Sequence, residues 1–325
     1  MLRSPKNYFP LPMRFSSHQD WHNFIASRQS NPPSGAELFQ LRKNCYSEIE
    51  RYRGVPLLIY ATKFLENHFG VQNTIDLSDV EGFVDLINSI PDSKKEVDVL
   101  LHSPGGRPDA TERIVYILRG KFDKVNFLIP HSAYSAATML SLSGNKIILH
   151  PNATLGPIDP QINGIPARSI KRGFEKVKDS IRKEGPESLP AYIPLIEKYS
   201  LDLLELCEDS EKLSRTLVSD WLHKYMFEGK KGFSKLISKA VVFFSNYDKH
   251  LLHSRPLVFS RISKYDLKIE LGDPTLSSLM WESFILLNGF FSLTPFVKLF
   301  ENAHGVSYGR QQIPIPINPQ LIQRQ

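Results

Sequence analysis

Cysteine is scarce: the 325 residues contain two, Cys45 and Cys207, one in each half. Two distant cysteines make neither a disulfide framework nor the paired spacing of a zinc site. Buried thiols in a reducing compartment are expected, which assigns the protein to the cytoplasm. Charge of one sign is also thin. The net charge of +6 is spread without a dense Lys/Arg block, so no nucleic-acid partner is expected. Neither a G-x-G-x-x-G loop nor a G-x-x-x-x-G-K-[ST] loop occurs, and the reading carries no cofactor and no metal. Met1 to Ser30 lacks the apolar core of a signal peptide. The most lipophilic stretch, Met280 to Phe300, is broken by Glu282, Asn288, Pro295 and Lys298. A bilayer span needs about 20 predominantly apolar residues, so this stretch reads as buried helix and no membrane span is expected. Its apolar surface exceeds what one chain is expected to cover, which predicts a homo-oligomer.

What the chain does have is core material, 41% hydrophobic residues against 23% charged. A helix is expected from Ser34 to Arg53, followed by strand text from Pro56 to Ala61. Val80, Phe83, Val84 and Ile87 fall at helical spacing within Asp79 to Ile90. Strand and helix then alternate: Val97 to Leu101, Asp109 to Leu118, Val125 to Ile129, Ser135 to Leu142 and Lys146 to Leu149. Such alternation predicts an α/β fold with a parallel sheet wound by right-handed crossovers. Residues 167–249 read as several helices. A short strand is expected near Leu267 to Leu271, and an extended tail from Gly305 to Gln325, rich in proline.

Three short segments carry the chemistry. Ser103-Pro104-Gly105-Gly106 lies at the C-terminal end of a buried strand, where α/β sheets place ligand loops. Its glycines let bare N–H groups face a developing oxyanion. Ser135 opens the run Ala136-Ala137-Thr138 after the next strand. A serine there is either a helix cap or a nucleophile, with the Ala136 N–H as a second oxyanion donor. The Gly-Gly turn about thirty residues earlier tips the balance to the nucleophile. Asp159 sits in the turn Gly156-Pro157-Ile158-Asp159-Pro160, a fixed carboxylate able to orient a histidine or simply to hold the turn. Ten histidines are available as base. Periodicity does not choose among His102, His131, His150, His250 and His253.

The stretch from Val97 to Gln161 resembles the Clp-protease/crotonase superfamily. Within it the chain is similar to the serine dehydrogenase proteinase family, related to signal peptide peptidase A. The resemblance rests on Leu100-Leu101-His102-Ser103-Pro104-Gly105-Gly106, on Ser135-Ala136-Ala137-Thr138, and above all on Leu155-Gly156-Pro157-Ile158-Asp159-Pro160-Gln161. A His-x-x-Pro element, His253-Ser254-Arg255-Pro256, matches as well. One departure is Ala137, where the family usually has glycine. The resemblance implies a twisted parallel sheet wrapped by helices and a triad of Ser135 as nucleophile, Asp159 as orienting acid and His253 as base. Gly105, Gly106 and Ala136 would form the oxyanion hole. It also implies a division into an N-terminal helical segment (1–54), a protease domain (55–275) and a C-terminal helix with tail (276–325).

The expected function is a soluble serine peptidase, or amidase/esterase, acting on a peptide or protein substrate. Two alternatives stand beside it. One is a Ser–Lys dyad with Lys171, Lys176, Lys183 or Lys198, which requires a buried amine. The other is a non-catalytic peptide-binding scaffold.

Overall fold

Runs such as Leu57-Leu58-Ile59-Tyr60-Ala61 have no polar face, and a strand of that kind is stable only when covered on both sides. The computed structural model, which describes residues 13–65, 72–197, 200 and 202–312, shows that arrangement. Helices α1 (His18–Ser27) and α2 (Gly35–Arg53) lead into β1 (Leu57–Thr62). Then follow α3 (Asp79–Asn88), β2 (Glu96–His102), α4 (Pro108–Lys121) and β3 (Lys124–Ile129). The two-residue β4 (Ser132–Ala133), α5 (Ala136–Leu142), β5 (Lys146–Leu149) and the two-residue β6 (Thr154–Leu155) complete this half.

A hairpin, β7 (Gln161–Ile162) and β8 (Ile165–Pro166), opens a helical segment. It contains α6 (Ala167–Glu184), α7 (Leu189–Ile196), α8 (Asp202–Trp221), α9 (Ser234–Ser245) and α10 (Tyr247–His250). The chain returns through β9 (Leu257–Val258), α11 (Phe259–Ile262) and β10 (Ile269–Leu271), and ends in α12 (Pro274–Leu293), β11 (Phe296–Asn302) and β12 (Ser307–Gln311).

The central sheet has the order β10-β5-β3-β2-β1-β11-β12. Its first five strands are parallel, and β11 and β12 run antiparallel at the far edge. Alternate residues face opposite layers. Leu58, Tyr60, Val99, Leu101 and Phe127 join the core under α3, α4 and α5, whereas Leu57, Ile59, Leu100, Leu128 and Ile148 pack against α1, α2 and α12. The expected parallel sheet wrapped by helices is therefore present. Ser34 caps α2 with a reciprocal bond to Glu37, and Gly54 ends it in the left-handed conformation.

One expectation needs correction. Met280 to Phe300 is not a single buried helix: α12 stops at Leu293, and Pro295 precedes β11, which pairs with β1. Proline lacks the N–H to continue a helix, while the strand beyond it is equally apolar. The charges that seemed to interrupt the run are satisfied internally. Lys298 Nζ donates to Asp76 at 2.8 Å and to Asp79 at 2.7 Å, and Glu282 accepts from the Phe15 N–H and from Arg14. By length and hydropathy α12 could cross a bilayer, but 72% of its apolar window is buried in the chain. Most of the apolar surface of this helix is thus covered within the chain. The C-terminal segment supplies two strands of the central sheet through Gln311, and the tail beyond Gln312 lies outside the described residues.

Candidate active site

The site is organised by a second, small sheet of two-residue strands in the order β4-β6-β9. β4 pairs parallel with β6 (Ala133 with Leu155), and β6 pairs antiparallel with β9 (Leu155 with Leu257). Each strand carries one candidate residue at its end. Ser135 lies two residues after Ala133, Asp159 four after Leu155, and His253 four before Leu257. The loop after β2 is tied in as well, because the Ser103 N–H donates to the Ser132 carbonyl and the Tyr134 N–H to that of Ser103.

Asp159 and His253 meet directly. His253 Nδ1 is 3.0 Å from Asp159 Oδ1, and Gln161 Nε2 donates to Oδ2 at 3.1 Å. A carboxylate facing Nδ1 fixes the tautomer with the proton there and leaves Nε2 with its lone pair. The Asp159 side chain is 3% exposed and that of His253 26%. The preceding residue is anchored by the bond from the Ile158 N–H to the Phe244 carbonyl. Gln161 was not singled out from the sequence. Its place two residues after Asp159, in a turn fixed by two prolines, was the available signal.

Ser135 stands at the first turn of α5 with φ 50° and ψ −122°, and its hydroxyl caps no helix N–H. The capping alternative therefore fails. A non-glycine residue held there stores about 1–3 kcal/mol of backbone strain, which the surrounding pairing must offset. Ser135, Gly106, Met139, Ile158, Pro160 and Leu213 line a cleft of about 330 Å³. The residues on both sides of Asp159 thus wall the cleft that holds Ser135. Among the described residues, no hydrogen bond joins Ser135 to His253.

The glycine loop divides its work differently from expectation. The Gly105 N–H donates to Ser103 Oγ at 3.2 Å and its carbonyl accepts from the Ile75 N–H, so it is not the free donor expected of it. Its role is close approach. A Cβ at Gly105, where φ is +94°, would lie 2.4 Å from the Tyr134 carbonyl oxygen and 2.7 Å from the Ala136 nitrogen. Gly106 lacks room for a side chain too, since its Cβ would lie 2.2 Å from the Ile75 carbonyl oxygen. The N–H groups of Gly106 and Ala136 have no protein acceptor among the described residues.

The other candidates lie elsewhere. His102 is buried with Nδ1 unpartnered, and burial pulls its pKa down to about 3. His131 stacks on Phe284 and His150 on Trp281, and His250 Nε2 meets the Phe243 carbonyl at 2.6 Å. Lys171 is ion-paired with Glu208 and Glu211, Lys176 and Lys183 are exposed, and Lys198 lies outside the described residues. None of the three described lysines is the buried amine that a dyad needs.

Residues 34–186 match the family model for ClpP-like SDH-type serine proteinases. Over this segment, just under half of the chain, it is similar to that family. The matched segment contains Ser135 and Asp159 and stops short of His253. The chain is 32% identical over 197 residues to the uncharacterized protein MJ1495 of Methanocaldococcus jannaschii, covering 57% of this chain and 66% of that one. It is 30% identical over 169 residues to the uncharacterized protein MJ0137 of the same organism, covering 48% and 57%. The match thus spans less than two thirds of either relative. Among solved structures, a mutant of the 1510-N membrane-bound stomatin-specific protease aligns at 18% identity and a TM-score of 0.35, over 62% of this chain and 77% of that one.

Proposed function

We propose that the protein is a serine peptidase that cleaves peptide bonds through an acyl-enzyme, with Ser135 as nucleophile, His253 as base and Asp159 as its orienting carboxylate. The observation that carries this reading is the Asp159–His253 pair, held by the β6–β9 pairing beside the cleft into which Ser135 opens. His253 Nε2 would take the Ser135 proton as Oγ attacks the scissile carbonyl and return it to the leaving amine. Asp159 stabilises the imidazolium between those steps. Gly106 and Ala136 supply the two N–H donors for the oxyanion. In unliganded enzymes the nucleophile–base hydrogen bond is often long and tightens with substrate. On this reading the Ser135–His253 hydrogen bond forms when substrate binds. The apolar wall of Met139, Ile158, Pro160 and Leu213 suits an apolar substrate side chain.

A fluorophosphonate probe tests the reading. A hydrolase with this triad becomes labelled at Ser135, and labelling is lost in Ser135→Ala and His253→Ala. A folded protein that takes up no label and cleaves no peptide is the scaffold instead.

A further inference from the structure

A second groove begins where the cleft ends. Ile75, just before α3, is bridged to the glycine loop: its N–H donates to the Gly105 carbonyl at 2.7 Å, and its carbonyl accepts from Arg107 at 2.9 Å. Two residues on, Leu77 and Val80 line one side of an open groove of about 520 Å³, and Asp109, Glu112, Arg113 and Tyr116 of α4 line the other. The spacing 109, 112, 113, 116 is one face of a helix. The opposite face of α4, with Ala110, Ile114, Val115 and Leu118, is the one that packs on the sheet. The groove is therefore a surplus surface that the core does not use. It keeps large apolar groups in water: Tyr116 is 70% exposed and Leu77 49%, with the Arg113 guanidinium 5.7 Å from the Tyr116 ring centroid.

Asp109 lines this groove and the Ser135 cleft alike. Its carboxylate pairs with Arg107, at 3.0 Å from Nε and 2.6 Å from the terminal nitrogen, and stands as the sill between them. We infer that the groove between α3 and α4 is an exosite for the substrate polypeptide itself, holding an apolar or aromatic side chain several residues away from the scissile bond. From Asp109 to Tyr116 is seven helical residues, about 10 Å. An extended peptide covers that in about three residues at 3.3 Å each. The occupant is thus a continuous extended segment long enough to cross the sill, with one apolar side chain on Tyr116 and Leu77. This rests on the peptidase reading, since the cleft supplies the rest of the bound chain.

The test compares three fluorogenic peptides sharing one cleavable core: the core alone, and the core extended by six residues with a Leu/Phe pair at either end. One of the extended peptides should have a kcat/KM about tenfold above the core, expressed mainly in KM. Tyr116→Ala and Leu77→Ser, both at exposed positions, should each erase that gain while leaving hydrolysis of the core unchanged. Binding of the same peptides to Ser135→Ala, read by fluorescence anisotropy, separates docking from chemistry and should show the same ranking. Equal kcat/KM for all three peptides, or a gain that survives both substitutions, overturns the exosite and leaves the peptidase reading standing. Loss of core hydrolysis in the wild type overturns that reading, and the anisotropy ranking then decides the groove by itself.

Discussion

The central sheet and the helical segment from Ala167 to His250 are built on opposite plans. Every residue of β1 is buried, and so are six of the seven in β2. In α6, eighteen residues long, only Ala167 and Ile170 are. Charges follow the same division. At the sheet, Lys298 is buried against Asp76 and Asp79, and Arg42 of α2 makes a two-pronged contact with Glu301 of β11 at 2.8 and 2.7 Å. In the helical segment, Arg168 and Arg172 share Asp248 in the open. On the proposed reading, the first region carries the chemistry and the second shapes access. Ser135, Gly106 and Asp159 follow strands of the two sheets, while α8 reaches the site only as a wall of the cleft, through Ser210, Leu213 and Ser214.

The largest effect should come from the rigid side. Ser135→Ala should lower peptide hydrolysis by at least about 10⁴-fold, and adding His253→Ala should cost little more, because triad members act as a unit. Initial rates of the single and double variants check this. Independent, multiplicative losses would show that the two residues do not share a step.

A stability experiment sharpens the same contrast. Lys298→Met keeps the apolar stem but leaves Asp79 buried without its cation, and breaking a buried pair in this way typically costs about 3–5 kcal/mol. Burial already raises the Asp79 pKa despite Lys298, so the lone carboxylate is costly to keep charged. Urea unfolding should show the loss with little change in slope.

The sheet was legible because a strand covered on both faces is written as an uninterrupted apolar run. Lys146–Leu149 matches residue for residue, and other boundaries fall within a few residues. The C-terminal edge was not, because a buried helix running into a buried strand presents one apolar text, and charges such as Lys298 look solvated until their partners are known. Ser135 and Asp159 were readable as motifs. His253 was fixed there only by resemblance, since its position depends on a two-residue strand pairing with Leu155 about a hundred residues earlier. The diversion of the Gly105 N–H to Ser103 Oγ depends on a single rotamer, which no spacing encodes.

Acidification should weaken the face of the sheet that meets α12. His102 has a pKa near 3 in the fold, below its ordinary 6.5, and burial also lowers His131 and His150. A group kept neutral by folding binds more protons when unfolded. Stability is therefore full above about pH 6.5 and is lost as the pH falls toward 3, with His102 contributing about 1 kcal/mol per pH unit in that window. Melting temperatures between pH 7 and pH 5 read this out, and a His102→Gln variant should flatten the curve.

The smallest effect belongs to the helical segment. Asp248→Asn removes the shared partner of Arg168 and Arg172, two pairs at 2.9 and 3.0 Å that look as good on paper as those of Lys298. Both arginines and Asp248 remain solvated, however, so the charges left behind are hydrated rather than stranded. Exposed pairs of this kind are worth about 0.2–1 kcal/mol. The variant should unfold within 1 kcal/mol of wild type, and its deficit should shrink further in 0.5 M salt, where exposed charges are screened. A loss approaching that of Lys298→Met would mean that Asp248 is covered in solution, and the contrast between the sheet and the helical segment would no longer hold at this point.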